Sequence, residues 1–443
     1  MMILYDLQYR LKYQTTTFST LNKSQIDDYT QLIINLLKVM DDDVISNPNL
    51  KHINAVYQVA ILSVKYEGYN FNINKEEGIY KIFSNNIFIK NITDMYLKTE
   101  YIYEKNQVLK CGFSLPNINM NIDIKPVLVI NKKEIIHPNN ETIITEQTFL
   151  NMNISYNKFY RFDIHLHEGI KTIEVKYLVN NQALENIKQV SKTLHTNFSN
   201  TKIPFRQYKN RTLKLKDNKK IINSRKHIMP VIKNILGLIK KRSTRKSGIY
   251  KLIGIINKKI NNKKVWLFVD RLEKAGDNAE ALFDYVYKNQ KQITPFFLIN
   301  SSSPDYIKLR NKYGSKVVSF NSKKHHMLMF KAEKVFSSHS EAYLNNPFGT
   351  INGKFIRELL DFEFVFLQHG ILQNDLSTLL HKRNKPMDYF ITSAKKEKEE
   401  VIQKYGFSEK EVLLSGLPRF DLLKSNKKKK NVLQLCQLGD QIY

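Results

Sequence analysis

The chain has 443 residues, more than one domain ordinarily holds, and 70 Lys or Arg against 41 Asp or Glu, a net charge of +29. A hydrophobic content of 42% excludes a disordered chain, and two cysteines, Cys111 and Cys436, exclude a disulfide scaffold or a Cys-rich zinc module. With no apolar run near the roughly 18 residues that span a bilayer and no secretory apolar core, the first expectation is a soluble, cytoplasmic, strongly basic protein with a polyanionic partner.

The first predicted element is a helix over 25–40, where Ile26, Tyr29, Ile33, Leu36, Leu37 and Met40 share one face and Asn22 or Ser24 offers a cap. From about residue 57 the period becomes two. Phe162, Ile164 and Leu166 alternate with Asp163, His165 and His167; Glu168 and Gly169 turn the chain; Ile173, Val175 and Tyr177 alternate with Thr172, Glu174 and Lys176. Similar runs at 108–113, 122–130 and 150–156 predict an antiparallel β-sandwich-like domain over 57–201, after a helical segment 1–56.

Charge then concentrates. Between Lys202 and Lys264 stand 21 Lys or Arg and one acid, Asp217, so this stretch carries +20 of the +29 and reads as a basic connector, 202–264. Ile228, Ile232, Ile235, Leu236 and Ile239 form one helical stripe, and Ile249, Leu252, Ile253, Ile256 and Ile260 a second. Lys233, Lys240, Lys241, Arg242, Lys251, Lys258 and Lys259 accompany them, a pattern that binds anionic membrane surfaces. The alternative is that the stripes pack on a neighbouring domain while the lysines face water. Phe205, Tyr208 and Tyr250 are too few aromatics for a nucleic-acid stacking platform, so nucleic acid is not expected as a partner.

The remainder reads as α/β over 265–424. Apolar strands at 265–269, 294–299, 317–320, 334–336, 364–367, 389–391 and 412–414 alternate with helical patterns at 280–287, 307–313 and 395–405, predicting a Rossmann-like parallel sheet. Ligands of such sheets bind beyond the carboxyl ends of the strands. Three polar clusters fall there: Asp270-Arg271, leading to Asp277-Asn278; Ser337-Ser338-His339; and Gln368-His369-Gly370. His369 directly follows an apolar strand, and an imidazole can accept a hydroxyl proton at neutral pH. The competing reading is a hydrogen-bonded structural histidine. His165 and His167 share a strand face without an evident third metal ligand, His325 and His326 start a helix as a solvated or packing pair, and Cys111 reads as core. No GxxxxGK[ST], GxGxxG or HExxH occurs, and neither metal nor cofactor is expected.

These clusters resemble the CDP-glycerol glycerophosphotransferase family, the teichoic-acid and capsule polymerases of GT-B architecture. The resemblance runs from Lys264 to about Leu423 and rests on motifs in order and spacing. They are Trp266-Leu267-Phe268-Val269-Asp270-Arg271, Gly276-Asp277-Asn278-Ala279-Glu280-Ala281, Phe336-Ser337-Ser338-His339-Ser340 and Asn346-Pro347-Phe348-Gly349. Phe366-Leu367-Gln368-His369-Gly370-Ile371, Asp375-Leu376-Ser377, Ile391-Thr392-Ser393-Ala394 and Ser415-Gly416-Leu417-Pro418-Arg419-Phe420-Asp421 complete the series. The 57–201 domain looks like the β-domain that precedes the transferase in capsule-type members, and 5–10 resembles the tail of an upstream GT-A domain.

The resemblance implies one Rossmann-like half of a GT-B fold and transfer of glycerol phosphate from CDP-glycerol. The acceptor would be a lipid-linked poly(glycerol phosphate) or capsular chain at the cytoplasmic face of the membrane, which the protein would join peripherally. It implies His369 as base, Asp270, Arg271, Asp277, Asn278, His339, Gln368 and Gly370 on the acceptor side, and Arg419 and Asp421 at an interdomain hinge. The second Rossmann half, with the donor pocket, has no counterpart after Asp421, and the tail 425–443 lacks the family pattern. In a shifted frame the codons of 431–443 are compatible with the Met-Pro-Thr-Trp-Arg run that opens the family's second domain. The expectation is therefore a truncated, impaired enzyme, with a non-catalytic membrane-associated polyanion-binding or partner-docking protein as the alternative.

Overall fold

A computed structural model describes residues 22–47, 55–66, 71–84, 87–118, 123–149, 152–193, 195–260 and 264–423. The sequence readings at 5–10 and 425–443 lie outside them. The fold is mixed α/β with several sheets, and the chain divides into two compact units, one running to Gly248 and the other from Ile249. Short segments Lys354–Glu358 and Gln403–Gly406 group with the first unit. Among the described residues no helix is long and apolar enough to cross a membrane.

The first unit opens with helix Lys23–Lys38, closed at its start by a capping box. The Gln25 N–H donates to Asn22 Oδ1 and the Asn22 N–H to Gln25 Oε1, both at 3.0 Å, so Asn22 rather than Ser24 is the cap. A seven-stranded antiparallel sheet runs in the order Phe205–Tyr208, Arg211–Lys216, Lys220–Arg225, Thr172–Val179, Ile124–Ile130, Glu134–Ile136, with Ala183–Asn186 beside Thr172–Val179. A six-stranded sheet runs Gln189–Val190, Tyr96–Lys105, Val108–Ile118, Met152–His165, Asn140–Phe149, with His195–Thr196 also on Tyr96–Lys105. The two short strands pair parallel with Tyr96–Lys105, so the sandwich is not wholly antiparallel. One core joins the sheets: Cys111, Phe113 and Phe162 from one with Leu128, Ile173, Tyr177 and Leu213 from the other. A small three-stranded sheet comprises Phe71–Glu76, Ile79–Ser84 and Ile87–Asn91.

The structure differs from the sequence reading at 202–264. Its first third is not a connector, because Phe205–Tyr208, Arg211–Lys216 and Lys220–Arg225 are three adjacent strands of the seven-stranded sheet. Their Lys and Arg alternate with buried Phe205, Leu213, Leu215 and Ile221, and it is this period of two that builds strand. Arg206 itself is buried and pairs with buried Glu104 at 3.2 Å. The remaining part forms helices Met229–Lys240 and Arg245–Ile260. On the first of these Ile235 and Leu238 are buried, while Ile228, which caps it, Met229, Ile232 and Leu236 are exposed. On the second, Ile249, Leu252 and Ile256 are exposed, and Lys251, named above among the membrane-binding lysines, is buried.

The second unit is built on a seven-stranded sheet, numbered here β1 Lys264–Val269, β2 Ile293–Ile299, β3 Val317–Ser319, β4 Ala332–Ser337, β5 Glu363–Phe366, β6 Tyr389–Thr392 and β7 Val412–Leu414. All neighbours are parallel and the order is β3-β2-β1-β4-β5-β6-β7. Continuous apolar strands demand cover on both faces. Accordingly Leu267, Phe268 and Val269 of β1 are fully buried, and Phe268 stacks on Phe336 of β4 with centroids 5.0 Å apart. The chain reverses its winding between β1 and β4, and the crevice at the carboxyl ends of these strands is where a doubly wound sheet offers a ligand site.

Candidate active site at the sheet switch point

The loops after β1, β4 and β5 converge at that crevice, and the first link is a buried carboxylate. Asp270, directly after β1, accepts from the backbone N–H groups of Asp277, Ala279 and Glu280 at 2.9–3.1 Å and from Ser338 Oγ at 2.6 Å. It therefore fixes the start of helix Asn278–Asn289 against the loop after β4. Burial pushes its carboxyl above the usual aspartate range, against the pull of the Ser338 and backbone donors. Burial, followed by the charge of Asp270, likewise raises Glu280.

Asn278 and Gln368 form the second link, and both are buried. Asn278 Nδ2 donates to the Gln368 carbonyl at 2.9 Å, and Asn278 Oδ1 accepts from the Arg419 N–H at 3.1 Å. Gln368 has φ +63°, a left-handed backbone costing a non-glycine residue about 1–2 kcal/mol. Its side chain holds that conformation, with Nε2 donating to the Ile391 carbonyl at 2.6 Å and to Glu397 Oε1 at 3.0 Å. The bend places His369 on the sheet rim, where it is 55% exposed.

A cluster of titratable side chains lies on this scaffold. His369 Nδ1 is 2.7 Å from Asp277 Oδ2, and Arg419 Nη1 donates to Asp277 Oδ1 at 2.9 Å. Arg271 Nη2 is 3.2 Å from His369 Nε2, and Arg271 Nε donates to His339 Nε2 at 3.3 Å. A guanidinium can only donate. Both Nε2 atoms therefore carry lone pairs, and the His369 proton sits on Nδ1, donated to Asp277. The two rings lie 5.1 Å apart, tilted by 30°. Burial first, then the neighbouring His369 and Arg271, hold His339 below the ordinary imidazole range. Chemically this is a carboxylate-oriented imidazole whose second nitrogen is engaged by a neighbouring guanidinium.

Asp277, His339 and His369 also bring three ligand atoms within 4.8 Å of one another, a grouping that sequence spacing does not suggest. Arg271 already engages Nε2 of both rings, and Arg419 engages Asp277.

Most of the sequence-named residues thus meet. Asp270, Asn278 and Gln368 were expected to touch an acceptor; they are buried, and their polar atoms hold the loops together. Gly370 has no heavy atom within 4 Å of a built Cβ, so packing does not require glycine there. Arg419, expected at a hinge, pairs with Asp277, whereas Asp421 is exposed and has no tie to the cluster among the described residues. Glu397 was missed. It is buried, and beyond Gln368 it receives the Ser393 N–H, Ser393 Oγ and the Leu372 N–H. Glu397 lies four residues after Ser393, one more than the capping-box spacing, so that pattern offered no signal for it. Outside the site, His325, His326 and Cys111 are buried, as packing and core readings require.

Residues 250–438 match the family described as CDP-Glycerol:Poly(glycerophosphate) glycerophosphotransferase. That span is wider at both ends than the motif series read between 264 and 423, and it begins where the second compact unit begins. Over 453 residues the chain is 28% identical to the minor teichoic acid biosynthesis protein GgaB of Bacillus subtilis (strain 168), covering 98% of this chain and 49% of that protein. The chain thus spans about half the length of this curated relative. Among solved structures it is similar to the wall teichoic acid polymerase TagF, with a TM-score of 0.30 and 16% identity over 47% of this chain and 51% of that one. A second TagF structure gives 0.31 and 15%, over 48% and 52%. Overlap at this level transfers no geometry.

Proposed function

From the match of residues 250–438 to the CDP-glycerol:poly(glycerophosphate) glycerophosphotransferase family, we propose that the chain supplies the acceptor-activating part of a glycerol phosphate transfer. The donor is CDP-glycerol, and the acceptor is the terminal hydroxyl of a membrane-linked teichoic-acid or capsular chain. The second unit serves as one half of a GT-B architecture, and the protein works peripherally at the membrane. The observation that carries this reading is the Asp277–His369 hydrogen bond at 2.7 Å, at the switch-point edge of a family-matched segment.

In the proposed step His369 Nε2 takes the acceptor's hydroxyl proton as its oxygen attacks the β-phosphate of CDP-glycerol. The P–O bond to CMP breaks, CMP departs with the bonding pair, and the polymer grows by one glycerol phosphate. Asp277 stabilises the imidazolium that forms on Nδ1, and Arg419 holds Asp277 in place. Labelled glycerol phosphate should pass from CDP-glycerol to a short lipid-linked primer when a donor-binding second half is supplied alongside the chain, and His369→Ala should abolish that transfer. Equal transfer by both proteins removes His369 from the mechanism, and no transfer by either favours the second reading.

That second reading, a membrane-associated polyanion-binding protein, is supported by Ile228, Met229, Ile232 and Leu236, which stand exposed beside Lys233 and Lys240. Its membrane attachment does not depend on His369.

A further inference from the structure

We infer that Arg271 is the phosphate-binding residue of this site, and that a substrate phosphate draws it off the two imidazoles and uncaps the base. The inference rests on the functional reading above and specifies a ligand group for that same site.

A helix N-terminus is the usual anion site of such folds, but here the N–H groups of Asp277, Ala279 and Glu280 are all spent on the buried Asp270 carboxylate. Arg419 is spent on Asp277. Arg271 is different. Its side chain is exposed at the crevice, no carboxylate pairs with it among the described residues, and the partners it has are two imidazole nitrogens. Asp277 does not compete for it, because its two oxygens already serve Arg419, His369 and the Asn278 N–H.

A guanidinium between two neutral rings gains far less than one forked onto a phosphate, where two charge-assisted hydrogen bonds form in parallel. Burial and neighbouring positive charge hold His339 below the ordinary imidazole range, so the Nε2 it presents is uncharged at neutral pH. An arriving phosphate therefore replaces weak partners with a strong one. Its departure with Arg271 leaves the His369 lone pair, until then engaged at 3.2 Å, open to the acceptor hydroxyl. The base is exposed only when a phosphorylated substrate is present.

The test uses the full chain labelled with ¹⁵N in its histidine rings, with His339 and His369 assigned through His339→Gln and His369→Gln. Long-range ¹H–¹⁵N spectra are followed at pH 8 during titration with inorganic phosphate, glycerol 3-phosphate as a mimic of the acceptor end, and CDP as a mimic of the donor. The expected result is a saturable shift of both Nε2 signals. Arg271→Gln should show the displaced signals without ligand and bind phosphate about tenfold more weakly or worse. Arg271→Lys, which keeps the charge but not the fork, should also bind more weakly than the native chain. Whether glycerol 3-phosphate or CDP shifts the signals at lower concentration identifies which substrate owns the phosphate. Static Nε2 signals at saturating ligand, or undiminished phosphate affinity in a folded Arg271→Gln chain, would overturn the proposal. None of these readings requires turnover, so the proposal can fail while transfer stands, and transfer can fail while it holds.

Discussion

Arg271 donates to both imidazoles and thereby determines where the protons of the site lie, and Asp277 is the residue that uses this arrangement. An asparagine at 277 keeps the shape but replaces the carboxylate that receives the Nδ1 proton. Asp277→Asn should lower kcat by about 10²–10⁴ with little change in KM, measured as primer-dependent CMP release. A second residue-scale prediction concerns acid. Burial depresses His325 and His381 from 6.5 to about 3. Because the unfolded chain takes up those protons first, the stability from the neutral rings is complete above pH 6.5. It is lost as pH falls towards 3, at about 2 kcal/mol per residue by pH 5. Melting temperature should drop between pH 7.5 and 5.5, and less steeply in His325→Asn, which retains an acceptor for the Asn321 N–H. His369 was legible because it follows an apolar strand; the Asp277 and Arg271 partnerships were not, since they join loops 92 and 98 residues apart.

At the scale of elements, hydrophobic period carried the reading a long way. All seven parallel strands, the first helix and the alternating strands around Glu168 and Gly169 were visible in it. The hairpins were less visible, because left-handed turn positions are held by Asn106 and Gln107, Asn180 and Asn181, and Asp217 and Asn218 rather than by glycine. Charge misled where period should have prevailed, at 205–225, since alternate lysines on a sheet face and lysines in a connector have the same composition. Arg206 tests this placement. It is buried against Glu104 and also donates to the Glu358 carbonyl. Arg206→Ala should destabilise the first unit by about 3–5 kcal/mol in urea denaturation by stranding Glu104, and Arg206→Met with Glu104→Leu should recover much of the loss. A connector arginine would show neither effect.

At the scale of the whole molecule, the net charge of +29 does several kinds of work. Part lies on sheet faces, Arg206 and Lys251 are buried, and Lys233, Lys240, Lys241 and Arg242 stand in solvent on or just after helix Met229–Lys240. That helix exposes Ile232 and Leu236, each worth about 1.5–3 kcal/mol if buried in an acyl boundary. Ile232→Glu with Leu236→Glu should weaken co-sedimentation with anionic vesicles at least about tenfold while leaving the fold of the first unit intact by circular dichroism. The central claim, that an Asp277-oriented His369 is the base of glycerol phosphate transfer, has its most direct test in chemical rescue. His369→Ala leaves a gap at an exposed rim that free imidazole can enter. Imidazole should restore primer-dependent CMP release to His369→Ala in proportion to its neutral form, and should do nothing for Asp277→Asn. Release by His369→Ala that matches the native chain without imidazole would contradict the account.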